Sequence, residues 1–352
     1  MSLPVSITFH DWMQAALYDP ETGYYRRADR ERWGRAGDYR TSPERSVLFA
    51  ATFARYFVRL YEDLGRPDAW TIVECGAGDG NFAAGVLETL ARQFPAIFDA
   101  TRYVVIDVSE DALRRARARL VEFGERVRFC SDWEQISIDT GIVFSNELLD
   151  AFPVHRVVQT DAGLRELYVT VDESGAFAWS NGPLSTPRLS EFCRAFGIQL
   201  EVGQTIEINL EIDEWFARVV SKLANGFVIT VDYGAEGTEL YDASLRPEGT
   251  LRGFRHHEFV GDVLAQPGER DITTSVNWTQ VKTLGARLGL RVVEFASQDK
   301  FLLHAGLLDE LEYRHGVADS EAEKARLTTG AREMILPGGM ASNFQVLVQR
   351  RV

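Results

Sequence analysis

Ile72-Val73-Glu74-Cys75-Gly76-Ala77-Gly78-Asp79-Gly80-Asn81 is an apolar strand that runs into three alternating glycines and then into a helix. Glycine has no Cβ, so such a turn can take positive φ and lie close to a ligand, while the helix that follows presents free N–H groups. A bare strand-to-helix turn without ligand is the plainer reading of the same residues. A nicotinamide cofactor is a second competitor, because Gly78-Asp79-Gly80-Asn81-Phe82-Ala83 fits the G-x-G-x-x-A variant of the dinucleotide fingerprint. Glu74 separates the two cofactors. A carboxylate at the strand end repels a pyrophosphate, whereas S-adenosylmethionine offers an ammonium and a sulfonium to attract one.

Outward from this turn, short apolar runs alternate with helical segments: Thr71 to Glu74, helix Asn81 to Gln93, Tyr103 to Asp107, helix Asp111 to Phe123, Val127 to Phe129 and Ile142 to Ser145. Strands alternating with helices predict an α/β fold with a parallel, Rossmann-like sheet covered on both faces. The rhythm stops at Asn146. Between Val154 and Trp179, alternating runs such as Glu166 to Val171 surround Glu173-Ser174-Gly175 and predict antiparallel hairpins. Helices are expected around Leu189 to Phe196 and Asp213 to Leu223, and Gly226 to Asp232 resumes the buried strands. A helix over Asn277 to Leu288 and strands over Arg291 to Phe295 and Phe344 to Val348 complete the core. Upstream, Phe9 to Tyr18 and Ser46 to Leu64 read as helices. The chain is therefore divided into an N-terminal helical segment, 1–68, a core of 69–153 and 226–352, and an inserted antiparallel β and helical region, 154–225.

The bulk numbers bound the partners. A formal net charge of −14 and a pI near 5.0 disfavour nucleic acid, which is met by clustered Lys and Arg, and leave room for a basic or guanidinium-bearing substrate. Cys75, Cys130 and Cys193 lie among apolar neighbours without metal-ligand spacing and read as buried, reduced thiols, which fits a cytoplasmic location. No stretch is apolar enough for membrane insertion. His256-His257 has no third ligand at a suitable spacing, so no metal is expected.

Other strand ends carry chemistry. Asp107 can accept from both ribose hydroxyls under either cofactor reading, or serve as a carboxylate at a helix start, where Ser109 and Asp111 already suit. Asp132 could accept from an adenine amine while Trp133 packs on the ring, or Ser131-Asp132-Trp133 is a plain surface loop. Asn146, Glu147 and Asp150 follow the fourth strand, at the edge where ligands bind in open α/β sheets. Glu147 and Asp150 are three apart, so on a helical turn they would share a face and could orient a cationic nucleophile, or they mark a solvated helix start. Asp232 ends a strand at the same edge.

Phe9 through Tyr25, Gly37-Asp38-Tyr39, Thr41-Ser42-Pro43-Glu44, Asn146-Glu147, Asp150-Ala151-Phe152-Pro153, Asp232-Tyr233-Gly234, Pro267-Gly268 and Asp271-Ile272-Thr273 occur in an order that resembles the MidA-like methyltransferases, relatives of a mitochondrial complex I assembly factor. The resemblance extends through Phe301-Leu302-Leu303 to the Met340 to Leu347 end. It implies the seven-stranded class I methyltransferase fold, S-adenosylmethionine as cofactor, and methylation of an arginine on a respiratory-complex subunit. It also implies that Gly37, Asp38, Thr41, Ser42 and Pro43 close over the methionine end of the cofactor, with Asn146 and Glu147 at the transfer site. Ala77 and Asp79 stand where the family commonly has proline and arginine, and Asp107 stands for a common glutamate. A non-catalytic assembly scaffold that keeps this fold is the alternative of another class. The oligomeric state is open, and a homodimer is compatible with this reading.

Overall fold

The computed structural model describes residues 6–27, 47–255, 258–336 and 343–351. Contacts group the described residues into two compact units: those within Met1–Arg30, Leu149–Phe216 and Gly234–Leu284, and those within Glu31–Leu148, Ala217–Tyr233 and Gly285–Val352.

The second unit is built on a large sheet whose strands are β1 (Trp70–Cys75), β2 (Thr101–Ile106), β3 (Val127–Cys130), β4 (Ile138–Asn146), β5 (Leu223–Ala235), β6 (Leu290–Ser297) and β7 (Phe344–Arg351). Their spatial order is β6-β7-β5-β4-β1-β2-β3. The strands from β3 to β5 are parallel, whereas β7 runs antiparallel to both β5 and β6. These seven strands form the Rossmann-like α/β sheet that the motif order implies, and the two-residue strand Val276–Asn277 pairs with Gly234 and Ala235 at the end of β5. Apolar runs on β1, β4 and β5 place Ile72, Phe144 and Ile229 in one continuous core. Glycine lets two strands approach where a side chain would collide: a Cβ on Gly141 would lie 1.9 Å from the Thr71 carbonyl oxygen.

Three helices cover the glycine turn and its neighbours. α1 (Val47–Asp63) contributes Phe49, Phe53 and Phe57 to the core. α2 (Asn81–Gln93) starts directly after Gly80 and buries Phe82, Ala83, Val86, Leu87 and Leu90, and Phe82 stacks on Phe144 at 4.3 Å between ring centroids. α3 (Glu110–Arg119) is capped by Ser109, whose hydroxyl accepts the Ala112 N–H; Glu110 and Asp111 lie in its first turn and Arg117 and Arg119 in its last, as the helix dipole favours. After β6 come the helices Gln298–Ala305, Leu307–Val317 and Glu321–Ile335, for which the sequence pattern makes no prediction. Leu307–Val317 leaves Leu308 and Val317 exposed, so its apolar residues define no stripe.

The first unit contains the expected hairpins, His155–Thr160 with Gly163–Val171 and the latter with Phe177–Gly182. Thr205–Ile208 extends this sheet on one side and Ser6–Thr8 on the other. Val157, Leu189, Phe192, Ile206 and Ile208 fill its small core. The N-terminal strand and the helix Phe9–Tyr18 therefore cluster with the inserted region, while α1 clusters with the large sheet; strand pairing at long range separates two helices that are neighbours in sequence. Residues 234–284, assigned to the core by the sequence reading, also cluster with the insert. They include a three-stranded sheet of Arg252–Arg255, Glu258–Val260 and Asp271–Thr273.

Candidate active site

The glycine turn needs its glycines. Gly76, Gly78 and Gly80 all have positive φ, at 66°, 55° and 78°. A Cβ on Gly76 would come within 2.9 Å of Leu148 Cδ1, and one on Gly80 within 3.0 Å of Ala116 Cβ in α3. Gly76 thus admits the leucine that follows β4, and Gly80 admits the packing of α3. Arg119 anchors the turn from outside, pairing with the Asp79 carboxylate at 2.5 Å and donating to the Asp79 carbonyl.

Asp107 is a tie between strand ends. Its Oδ2 accepts the Gly78 N–H at 2.9 Å and its Oδ1 the Ser109 N–H at 2.8 Å.

Glu74 departs from the expectation of an open carboxylate. It is buried, and Tyr103 donates its hydroxyl to Oε2 at 2.7 Å. Loss of solvation pushes its pKa up to about 8; the Tyr103 hydrogen bond opposes this and the charges of Asp79 and Asp107 reinforce it. At neutral pH the group therefore carries its proton, and a cation arriving beside it would favour the charged form.

At the loop after β3, the exposed Asp132 accepts the Glu134 N–H, whereas Trp133 is buried. The adjacent side chains lie in different environments. Cys75 is buried, but Cys130 and Cys193 are only half-buried, contrary to expectation; all three are free thiols.

The edge of β4 corrects a second expectation. Glu147 is not helical: its φ is +52°, and a single 3-10 turn begins only at Leu149 and ends at Ala151. A reversed backbone between strand and turn removes the shared helical face predicted for Glu147 and Asp150. Asn146, at the end of β4, donates from Nδ2 to Glu147 Oε1 at 3.1 Å, and its Oδ1 is buried with no hydrogen-bond partner among the described residues. One strand over, the fully buried Asp232 accepts the Leu148 N–H. Asp150 is a buried residue of the first unit, where its carbonyl accepts the Thr274 N–H at 2.9 Å. Gly37, Asp38, Thr41, Ser42 and Pro43, like His256-His257, lie outside the described residues.

Within the second unit, the carboxyl edges of β1, β2, β4 and β5 thus gather Glu74, the glycines, Asp107, Asn146, Glu147 and Asp232. Tyr103, Leu148 and Arg119 complete this group and escape the sequence reading. The apolar Leu148 gives no sequence signal, and Tyr103 reads as an ordinary strand residue.

Residues 52–296 match the family model described as "Putative S-adenosyl-L-methionine-dependent methyltransferase". The chain belongs to this family. It is a MidA-like methyltransferase, its cofactor is S-adenosylmethionine, and the nicotinamide alternative falls away. The chain is 26% identical to mouse protein arginine methyltransferase NDUFAF7, mitochondrial, over 96% of this chain and 79% of that one; for the human counterpart the figures are 24%, 96% and 78%. A Burkholderia thailandensis protein solved bound to S-adenosyl-homocysteine superposes with a TM-score of 0.86 at 29% identity, covering 98% of this chain and 88% of the other.

The residues present suit such a cofactor. The positive φ of Gly76, Gly78 and Gly80 turns the backbone sharply at the sheet edge, Asp107 sets a carboxylate beside that turn, and Glu74 is a buried acid able to answer a cation. Among the described residues, no helix is long and apolar enough to cross a membrane, and no group of three or more His, Cys, Asp or Glu is placed to hold a metal ion.

Proposed function

We propose that this methyltransferase modifies a guanidinium nitrogen of a protein arginine, with a respiratory-complex subunit as the acceptor the family resemblance favours. The observation that carries the reading is the pair Asn146 and Glu147: a buried amide oxygen without a partner stands beside a carboxylate at the sheet's carboxyl edge. Both are acceptors, and a guanidinium is a planar fork of five N–H donors. The names of the mouse and human relatives and the acidic balance of the chain support the same class.

In this reading Glu74, Gly76, Gly78, Gly80 and Asp107 hold the cofactor, with Asp132 and Trp133 on the adenine side. When bound, S-adenosylmethionine would supply a methyl group carried on a sulfonium, with S-adenosylhomocysteine as the neutral leaving thioether. A guanidinium stays charged in water at any ordinary pH, so its nitrogen must lose a proton as the new bond forms. Glu147 orients that nitrogen and accepts the proton, while Asn146 holds Glu147 Oε1.

The test is transfer of labelled methyl from S-adenosylmethionine into lysate protein, followed by acid hydrolysis. Label recovered as methylarginine supports the reading; label recovered only in other residues or in lipid, or no label, rejects it. Glu147→Gln should bind the cofactor normally and transfer methyl about a hundredfold more slowly.

A further inference from the structure

The chain leaves β4 through a turn that an L-residue adopts reluctantly. Glu147 has φ +52°, a value otherwise met among the described non-glycine residues only at Arg66 and Gln266. Two hydrogen bonds, one on either side, hold the kink. The Glu147 N–H donates to the Val231 carbonyl at 2.9 Å, and the next amide, that of Leu148, donates to Asp232 Oδ2 at 3.3 Å.

Asp232 is itself held. Its Oδ1 accepts the Tyr233 N–H at 2.9 Å, so the backbone of β5 and that of the β4 exit both donate to this carboxylate. The side chain is fully buried. On its other side Leu148 reaches the glycine turn, where its Cδ1 occupies the space that a Cβ on Gly76 would need. Asp232, Leu148 and Gly76 thus form a continuous run of contacts with the Glu147 kink at its centre.

We propose that Asp232 is a positioning residue: through the Leu148 N–H it holds Glu147 in its left-handed turn, and through the Leu148 side chain that turn is registered against Gly76. This assigns Asp232 no proton transfer of its own. The inference rests on the proposed role of Glu147.

A double-mutant cycle on the full-length protein separates the roles, read as the rate of labelled methyl incorporation into lysate protein at saturating S-adenosylmethionine. Asp232→Asn replaces one accepting oxygen with an NH2 group that cannot accept a backbone N–H, and should slow transfer about tenfold or more. In the Glu147→Gln background the same change should add no more than about twofold, because the group it positions is already gone. A multiplicative loss in the double variant overturns the proposal and makes Asp232 an independent participant. The second readout is amide hydrogen exchange at Leu148, which should accelerate in Asp232→Asn; unchanged protection overturns the clamp directly. Should Asp232→Asn fail to fold, Leu148→Ala takes its place, with a loss again expected only where Glu147 is intact, and equal losses in both backgrounds reject the proposal. Full activity of Glu147→Gln, or absence of label with the wild type, defeats the underlying function instead, whereas the exchange result speaks to the clamp alone.

Discussion

The Tyr103 hydroxyl donates to Glu74 Oε2 at 2.7 Å within the core of the large sheet, and burial raises the Glu74 pKa to about 8. In the unfolded chain the same group titrates near 4.5. Between these values the folded state holds a proton that the unfolded state has released, so this contribution to stability is full below pH 4.5 and declines as pH rises to about 8. At about 1.4 kcal/mol per pKa unit the total is on the order of 5 kcal/mol. Glu74→Gln should flatten this decline, as measured by denaturant unfolding across the window. A pH dependence unchanged in the variant would remove Glu74 as its source.

Cofactor binding should be linked to the same proton. If Glu74 faces the cationic part of S-adenosylmethionine, binding draws the carboxyl into its charged form, so affinity should increase as pH rises toward 8. Calorimetry in two buffers of different ionisation enthalpy would detect the released proton near pH 7. Equal heats in both buffers would argue that Glu74 does not meet the cation.

Two glycines of one turn should fail differently. Gly80→Ala pushes a Cβ against Ala116 at positive φ and should cost about 1–3 kcal/mol of stability, seen as a lower Tm. Gly76→Ala meets the flexible end of Leu148 instead, so its larger effect should be on cofactor affinity, weakened about tenfold or more, since one factor of ten corresponds to about 1.4 kcal/mol. Retained affinity in Gly76→Ala would mean that the cofactor does not approach the backbone there.

Glu310 is fully buried and held by Arg55 and Arg314, each at 2.7 Å, with Gln93 donating to both of its oxygens. Arg55→Ala leaves it one cation and should cost about 2 kcal/mol, whereas the Arg55→Ala/Arg314→Ala double variant leaves a buried charge without either cation and should cost about 3–5 kcal/mol. Unfolding in denaturant measures both; near-wild-type stability of the double variant would show that Gln93 alone suffices.

In the first unit, His10 Nε2 lies 3.1 Å from Glu211 and Nδ1 lies 3.0 Å from Asp11. Burial lowers the His10 pKa, but the bonds to Glu211 and Asp11 outweigh it and leave the value raised. The contribution is therefore fully present below the unfolded value of 6.5 and is lost as pH rises through the higher folded value. His10→Gln should lower Tm clearly at pH 6 and much less at pH 9. An equal loss at both values would assign the effect to packing on His155, whose ring lies 4.5 Å away, centroid to centroid.

Much of this was local enough to read along the chain. Apolar runs and the spacing of Phe82, Val86 and Leu90 mark β1 and α2 because periodicity reports which face is buried. The glycines of the turn were legible because positive φ is a demand on one residue at a time. The last helices escaped the pattern: Phe301 and Leu302 join the core beside Phe53 only after β6 returns to the sheet edge, and no stripe in Leu307–Val317 announces it.

The sequence by itself determined the α/β class, the cofactor turn and the residue types at the strand ends, since each depends on interactions within a few residues. Tertiary structure decided what those residues are. Glu74 becomes a protonated acid because the folded sheet removes water from it; Asp107 becomes a tie because Gly78 and Ser109 converge on it; and Glu147 turns left-handed because Val231 and Asp232, from a strand 84 positions away, hold the amides of Glu147 and Leu148. Desolvation and strand-to-strand hydrogen bonds arise only when distant segments are brought together, so no local spacing encodes them.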